Sequence, residues 1–206
     1  MTKIDTIIFD LGGVLIDWSP KYVYRKVFNG DEEKVEWFLN NICTMDWNME
    51  QDAGRTWQEA TDLLIKQHPE YKEWIQVYAD RWEEMLGGPI QETVHILDNL
   101  KTSNTCILYA LTNWSAETFP IALKRFDFLQ HFKGIVVSGE EKTRKPFTKI
   151  YEIILDRYNI NPEKAIFIDD NLENIITAKS LGIHGIHFKN ASQLKTDLEK
   201  FNIIKP

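Results

Sequence analysis

Three acidic residues follow short apolar segments, at positions where a strand would end. Asp10 comes directly after the apolar residues 4–9, and the adjacent pair Asp169 and Asp170 comes directly after residues 164–168. Neighbouring carboxylates repel one another unless a cation or hydrogen bonds compensate their charge. Carboxylates, carbonyls and water are the ligands that Mg2+ prefers. We therefore expect the three side chains to form a magnesium site.

Two other motifs carry groups that suit a phosphoryl ligand. Thr112 and Asn113 end another apolar run, and offer a hydroxyl and an amide to phosphoryl oxygens. Lys145, which precedes Pro146, supplies a compact positive charge. A carboxylate nucleophile such as Asp10 can form an acyl-phosphate, which divides one difficult displacement into two easier steps. In this chemistry Mg2+ and Lys145 would neutralise charge on the transferred group.

Alternating strand-like and helix-like segments indicate the fold that would bring these motifs together. Short apolar, β-branched runs predict strands at 4–9, 105–111, 134–138, 164–168 and 183–188. Segments with helical spacing separate the later runs, at 115–126, 147–158 and 171–181. This alternation predicts an α/β fold, with a parallel sheet and helices on both faces. Ligands of such sheets bind outside the carboxyl ends of the strands, where all the motifs stand.

Residues 17–88 interrupt the alternation. No strand is predicted there, and segments with helical spacing lie at 19–28, 31–43, 56–67 and 71–86. Six of the seven tryptophans fall in this stretch, and most are expected to form the core of a small helical bundle. We therefore predict an α/β core made of residues 1–16 and 89–206, with an inserted all-helical cap made of residues 17–88.

The cap would determine which substrates fit the site. Residues 46–55 are predicted to be a polar link between two cap helices, and links of this kind can line a cleft. Trp47 and Arg55 in that link, together with Trp114 of the core, are the predicted contacts to a leaving group. A cap that closes over the site would also exclude water during the first transfer.

The four motifs together resemble those of the haloacid dehalogenase-like superfamily. In that family a nucleophilic Asp, a Thr or Ser, a Lys often followed by Pro, and an acidic pair follow one another in this order. Here they are matched by Asp10, Thr112, Lys145 and the pair 169–170. The resemblance spans residue 4 to about 190 and implies a Rossmann-like sheet with a C1-type cap. It also implies that the main-chain carbonyl of Gly12 is a further magnesium ligand.

Within the superfamily, residues 10–15 and 168–171 resemble glucose-1-phosphatase-like enzymes and the phosphatase-like N-terminal domain of soluble epoxide hydrolases. The resemblance implies an Mg2+-dependent hydrolase of small phosphate monoesters, sugar phosphates among them, that acts through an aspartyl-phosphate on Asp10. Most phosphatases of the family carry a second Asp two residues after the nucleophile, which protonates the leaving group. This chain has Gly12 at that position, and the glucose-1-phosphatase-like subgroup resembles it in lacking that Asp. Water, a substrate group or a cap residue would have to replace it, and the candidates in the cap are Asp46, Glu50 and Asp52.

Two other functions stay open at this stage. A 2-haloacid dehalogenase also uses an Asp nucleophile, but it needs no metal and typically carries small neutral residues in place of Asp169 and Asp170. A protein that binds a phosphate ester with little turnover is the second alternative, because Gly12 stands where an acid is usual. Metal dependence would identify the first alternative, and tight binding without turnover would identify the second.

Composition limits the partners. The chain carries 24 basic and 31 acidic residues, for a net charge of −7, whereas nucleic-acid-binding proteins usually show a basic patch. A small phosphorylated metabolite would therefore need a specific local site. No apolar run approaches the roughly 20 residues of a membrane helix, and no secretory signal is visible, so we expect a cytoplasmic protein. Both a monomer and a homodimer are compatible with the sequence.

Overall fold

The computed structural model describes residues 3–204 of the chain. Within that range the strands are β1 (Thr6–Phe9), β2 (Ile16–Trp18), β3 (Leu86–Pro89), β4 (Ile107–Thr112), β5 (Gly134–Val137), β6 (Ala165–Asp169) and β7 (His184–His187). The α-helices are α1 (Lys21–Val27), α2 (Glu32–Asn41), α3 (Met45–Asp52), α4 (Trp57–Gln67), α5 (Lys72–Asp80), α6 (Gln91–Ser103), α7 (Phe119–Arg125), α8 (Ser138–Glu141), α9 (Thr148–Tyr158), α10 (Leu172–Ser180) and α11 (Ala191–Lys200). No helix among these residues is long and apolar enough to cross a membrane.

Five strands form one parallel sheet in the order β5-β4-β1-β6-β7. These are the five strands that the sequence predicts. The central strand, β1, pairs with β4 and with β6, so that Phe9 lies opposite Ala110 on one side and Ile168 on the other. The residues that follow these three strands are therefore neighbours at the carboxyl edge of the sheet.

The side chains of β1 alternate between two apolar clusters, one on each face of the sheet. Ile7 and Phe9 belong to the larger cluster and Ile8 to the smaller, and all three are fully buried. Burial of each such side chain contributes on the order of 1.5–3 kcal/mol. The Rossmann-like α/β fold with helices on both faces is thus confirmed.

In the chain, helices α1 to α5 come after β2 and before β3. These two strands pair with each other as a separate antiparallel sheet. The stretch 17–88, expected to be all-helical, therefore contributes short strands at both of its ends. β2 has only three residues and β3 contains Gly87 and Gly88, so neither has the apolar, β-branched run by which a strand is predicted. The division into core and cap at residues 16/17 and 88/89 stays a prediction.

Helix α3 occupies most of the segment that was predicted to be a polar link, and this part of the prediction was wrong. The Thr44 side chain accepts a hydrogen bond from the Trp47 N–H at 3.2 Å, which caps the helix at its start. Met45, Asn48, Met49 and Asp52 recur at helical spacing and so share one face. Because two of these four residues are polar, the segment lacks the apolar periodicity that predicts a helix.

Candidate active site

Three carboxylates meet where β1 and β6 end. One carboxylate oxygen from each of Asp10, Asp169 and Asp170 lies within 4.8 Å of the others. The register of the two strands explains the arrangement. The Asp10 N–H donates to the Ile168 carbonyl at 2.8 Å, and this pairing places the Asp10 side chain beside the acidic pair that follows Ile168. Asp10 and Asp169 are buried, whereas Asp170 is exposed. Such a set of hard oxygen donors fits a divalent cation.

Lys145 lies between two of these carboxylates. Its Nζ is 2.8 Å from Asp10 Oδ1 and 2.6 Å from Asp169 Oδ2, and the side chain is only 1% exposed. Burial opposes the ammonium charge, but the charges and hydrogen bonds of Asp10 and Asp169 outweigh it and raise the pKa of Lys145. The lysine is therefore a fixed cation beside the proposed nucleophile.

The surroundings of Asp10, in contrast, disfavour the charged form of its carboxyl. Burial, together with the charges of Asp169 and Asp170, raises its pKa well above the ordinary value, although Lys145 acts in the other direction. A nucleophilic carboxylate must be ionised, and a divalent cation among these groups would favour that form. The three carboxylates thus carry more negative charge than Lys145 compensates, which is what a cation site requires.

Asp169 is held by several donors besides Lys145. The Asn174 Nδ2 contacts both of its oxygens, at 2.9 and 3.0 Å, and the Asn171 N–H donates to Oδ1 at 2.8 Å. Asn171 also caps α10 with its side chain. These contacts fix the direction of the Asp169 carboxylate. The role of Asn174 was not visible in the sequence, because it lies one helical turn beyond the recognised motif.

Asn113 connects the end of β4 to the Lys145 loop. Its Nδ2 donates to the Lys145 carbonyl at 3.0 Å, and its Oδ1 accepts from the Lys145 N–H at 2.8 Å. The side chain therefore holds the main chain of the lysine on both sides. Thr112 is buried at the end of β4, while Asn113 reaches the cavity described next.

A cavity of about 310 Å³ lies over the carboxylates, between the sheet edge and α3. Six residues that the sequence predicts for the site line this cavity, namely Asp10, Gly12, Asn113, Trp114, Lys145 and Asp170. The segment between β1 and α6 contributes Trp18, Met45, Asn48, Met49, Asp52 and Trp82. Apart from Asp52, this second group was not singled out for the site. Four of its members, Met45, Asn48, Met49 and Asp52, are spaced at i, i+3, i+4 and i+7 and so share one face of α3. If the helix had been predicted, this spacing would have indicated that the four side chains reach the cavity together.

Trp47 and Arg55 stabilise the helical segment and do not line this cavity among the described residues. Trp47 packs against Trp57 and Tyr78, with ring centroids 5.8 and 5.1 Å away, and its Nε1 donates to the Ala60 carbonyl. Arg55 donates to Gln51 Oε1 at 2.7 Å and to the Trp47 carbonyl at 2.9 Å. The structure gives no support to their predicted contact with a leaving group, because α3 turns a different face to the cavity.

Two adjacent glycines in the loop after β1 differ in what surrounds them. A Cβ on Gly13, whose φ is +71°, would lie 2.3 Å from Asp170 Oδ2, which is too close for any side chain. A Cβ built on Gly12 meets no atom within 4 Å. Gly13 thus allows the loop to approach the carboxylates closely, whereas Gly12 leaves open space beside the nucleophile.

Asp52 is the carboxyl that α3 contributes to the cavity. It is half-buried, and its Oδ2 accepts a hydrogen bond from Asn48 Nδ2 at 3.3 Å. Burial raises the pKa of Asp52 to about 7, although the charges of Arg144 and Lys145 and the main chain of Ser115 act to lower it. The other acidic residues of this helix, Asp46 and Glu50, are exposed.

A parallel sheet with a buried lysine among carboxylates at its carboxyl edge defines an α/β protein of the hydrolase type. The sequence model of the family described as haloacid dehalogenase-like hydrolase matches residues 7–188. The chain therefore belongs to the haloacid dehalogenase-like hydrolases, and the family predicted from the four motifs is confirmed.

Similar proteins include two named phosphatases. A sesquiterpene phosphatase from Aspergillus oryzae is 27% identical over 192 residues, which is 92% of this chain and 92% of that protein. A phosphorylated carbohydrates phosphatase from Thermotoga maritima is 28% identical over 193 residues, or 89% of this chain and 84% of the other.

Among solved structures, a haloacid dehalogenase family enzyme from Bacteroides thetaiotaomicron was crystallised with magnesium and inorganic phosphate. It superposes with a TM-score of 0.67 over 91% of this chain and 95% of its own, at 23% identity. A likeness at this level of identity establishes a shared fold.

Proposed function

We propose that this protein is an Mg2+-dependent phosphatase that hydrolyses small phosphate monoesters through an aspartyl-phosphate on Asp10. One observation carries the proposal: the carboxylates of Asp10, Asp169 and Asp170 lie within 4.8 Å of one another, with Lys145 Nζ bonded to two of them. The names of the Aspergillus and Thermotoga relatives support a phosphatase, and the magnesium and phosphate in the Bacteroides enzyme support the cofactor.

Each group at the strand ends then has a role in the transfer of the phosphoryl group. Asp10 attacks phosphorus with one carboxylate oxygen, and Asp169, Asp170 and the Gly12 carbonyl hold the cation. When bound, Mg2+ neutralises charge on the phosphoryl oxygens and keeps the carboxylates ionised. Lys145 adds a second positive charge, and Thr112 and Asn113 are proposed to donate hydrogen bonds to the phosphoryl group.

The lining of the cavity favours an organic leaving group with apolar surface. Trp18, Trp82 and Trp114 give the cavity apolar walls, and the rings of the last two are 5.6 Å apart. We infer that the preferred esters present an apolar face to these rings, which both a sugar ring and a short terpenoid can do.

The chemistry of the carboxylates disfavours the dehalogenase alternative. Haloacid dehalogenation needs no metal, and clustering Asp169 and Asp170 beside Asp10 would only add repulsion to a metal-free nucleophile. A binding protein without turnover would have no need of a nucleophile paired with Lys145. Both alternatives remain outcomes of the test below.

The test is an assay of the purified protein on a panel of phosphate monoesters, with and without Mg2+. The panel should include sugar phosphates, terpenoid monophosphates and p-nitrophenyl phosphate. We expect turnover that requires Mg2+ and that Asp10→Asn reduces by at least about 10³-fold, since removal of a nucleophile can cost more than that. Asp156→Asn, which changes an exposed carboxylate of α9, serves as the control and should retain activity.

Two results would contradict the proposal. Metal-free release of halide from 2-haloacids would identify a dehalogenase. Tight binding of a phosphate ester without turnover, with Mg2+ present and the protein folded, would identify a binding protein.

A further inference from the structure

Hydrolysis of an ester with an alkyl leaving group needs a proton for the departing oxygen. If the proposed function holds, the first transfer breaks the bond between phosphorus and the ester oxygen while Asp10 bonds to phosphorus. An alkoxide is a poor leaving group, so a positioned acid accelerates this step by about 10²- to 10⁴-fold. The residue at position 12 has no side chain to donate a proton. The donor must therefore come from elsewhere in the cavity.

Few titratable side chains line the cavity among residues 3–204. Asp10 and Lys145 are bonded to each other, and Asp170 belongs to the carboxylate cluster. Asp52 is the remaining ionisable side chain of the lining, and it approaches from α3, on the side away from the sheet. A leaving group would occupy that side of the cavity, because the phosphoryl group must face Asp10 and the cation.

A buried network fixes the Asp52 side chain. Tyr78 of α5 donates its hydroxyl to Asn48 Oδ1 at 3.1 Å, and Asn48 Nδ2 donates to Asp52 Oδ2 at 3.3 Å. Tyr78 is fully buried and Asn48 is 5% exposed. The amide therefore has one orientation, and it presents a donor to one oxygen of Asp52. That contact holds one oxygen of Asp52, and the residue lines the cavity.

We propose that Asp52 is the general acid and base of this enzyme, supplied by α3 in place of a residue beside the nucleophile. In the first step the protonated Asp52 gives its proton to the ester oxygen as the phosphorus–oxygen bond breaks, and a neutral alcohol leaves. In the second step the Asp52 carboxylate takes a proton from water as the water oxygen attacks phosphorus. The bond between Asp10 and phosphorus then breaks, and phosphate leaves with Asp52 protonated again.

The surroundings of Asp52 suit both halves of this cycle. Burial raises its pKa to about 7, while Arg144 and Lys145 from the loop before α9 and the Ser115 main chain oppose the rise. Tyr78 packs nearby from α5, with its own pKa raised well above the ordinary value by burial first and then by neighbouring groups that include Asp52. A pKa near the working pH lets one group donate and accept a proton in turn.

The experiment compares two esters that differ in their need for an acid. Asp52→Asn and wild type are assayed with an alkyl phosphate, whose alkoxide must be protonated, and with p-nitrophenyl phosphate, whose phenolate leaves without a proton. We expect Asp52→Asn to lower kcat/KM on the alkyl ester by about 10²- to 10⁴-fold and to change kcat/KM on p-nitrophenyl phosphate much less, because kcat/KM reports the first transfer and not the later hydrolysis of the aspartyl-phosphate. Glu73→Gln, at an exposed residue of α5, should behave as wild type on both esters.

The pH profile of the wild type is a second measurement that needs no variant. For the alkyl ester, kcat/KM should fall as the pH rises through about 7, because the acid form of Asp52 is lost. That descending limb should be absent for p-nitrophenyl phosphate.

The outcomes separate this assignment from the proposed function. Equal losses of kcat/KM on both esters in a folded Asp52→Asn, or no loss on either, would overturn the role of Asp52 as the acid while leaving the phosphatase intact. Identical pH profiles for the two esters would do the same. No turnover of either ester by the wild type would overturn the proposed function, and the assignment with it.

Discussion

At the scale of single residues, the balance of charge around Lys145 couples stability to function. The ammonium is almost completely buried and bonded to Asp10 and Asp169. A buried charge is tolerated only when it is paired, and removal of one partner leaves the others uncompensated. In this site two carboxylates would be left facing each other, with Asp170 nearby.

Replacement of this lysine by a side chain of similar length should therefore be costly. We expect Lys145→Met to lower the free energy of unfolding by about 3–5 kcal/mol in the absence of divalent cations. Added Mg2+ should recover part of that loss, because it relieves the same repulsion. Lys149→Met, at an exposed lysine of α9, is the control and should change stability by less than about 0.5 kcal/mol. Urea unfolding with EDTA and with Mg2+ measures both effects, and an unchanged midpoint for Lys145→Met would contradict the expectation.

At the scale of elements, the backbone of the loop after β1 allows the proposed cation ligands to lie close together. Gly13 has a positive φ, and the space where its side chain would project is filled by the Asp170 carboxylate. A methyl group there must displace Asp170 as well as strain the backbone. The adjacent Gly12 has neither restriction.

The two glycines give a matched pair of substitutions. Gly13→Ala should weaken binding of Mg2+ at least about tenfold, as is typical when the support of a metal ligand is disturbed. Gly12→Ala should bind Mg2+ like the wild type, because its carbonyl is kept and its methyl group has room. Titration calorimetry with Mg2+ compares the three proteins. Equal affinity of Gly13→Ala and wild type would show that Asp170 is not needed in its present position.

The elements differ in how far the sequence predicts them. The central strands β1, β4 and β6 were predictable because burial on both faces selects continuous apolar runs such as residues 6–9, and the partly buried edge strands β5 and β7 keep shorter apolar runs. Helix α3 was not predictable, since the face that lines the cavity mixes methionine with Asn48 and Asp52, which bond to each other, and Asn48 also bonds to Tyr78. The pair β2 and β3 is held by partners distant in the chain, and a three-residue strand carries no periodicity of its own.

The same distinction applies to the site. Asp10, Asn113, Lys145 and the acidic pair were predictable because each follows a recognisable strand or precedes a helix. The network of Asp52, Asn48 and Tyr78 was not, because it joins two helices whose packing no local pattern encodes. The predicted contacts of Trp47 and Arg55 with a leaving group stay predictions, since in this structure both side chains bond within the helical segment.

At the scale of the whole molecule, the proposed cation site is separate from the apolar clusters that stabilise the fold. The two apolar clusters on the faces of the sheet are continuous and contain no metal ligand. The carboxylates lie at the sheet edge and are repulsive without a cation. The fold should therefore persist without metal, in contrast to small domains whose folding depends on a metal ion.

Removal of metal should accordingly lower the thermal midpoint without unfolding the protein at room temperature. At a free Mg2+ concentration of 100 times Kd, binding to the folded state adds about 2.7 kcal/mol. For a chain of 206 residues, each kcal/mol shifts the midpoint by roughly 2–4 °C, so we expect a rise of about 5–10 °C over the EDTA-treated protein. Asp170→Asn removes a proposed ligand that is exposed, and it should abolish most of the rise while keeping the metal-free midpoint close to that of the wild type. Unfolding by EDTA alone at 25 °C would mean that the carboxylate cluster, and not the apolar clusters, holds the sheet edge together.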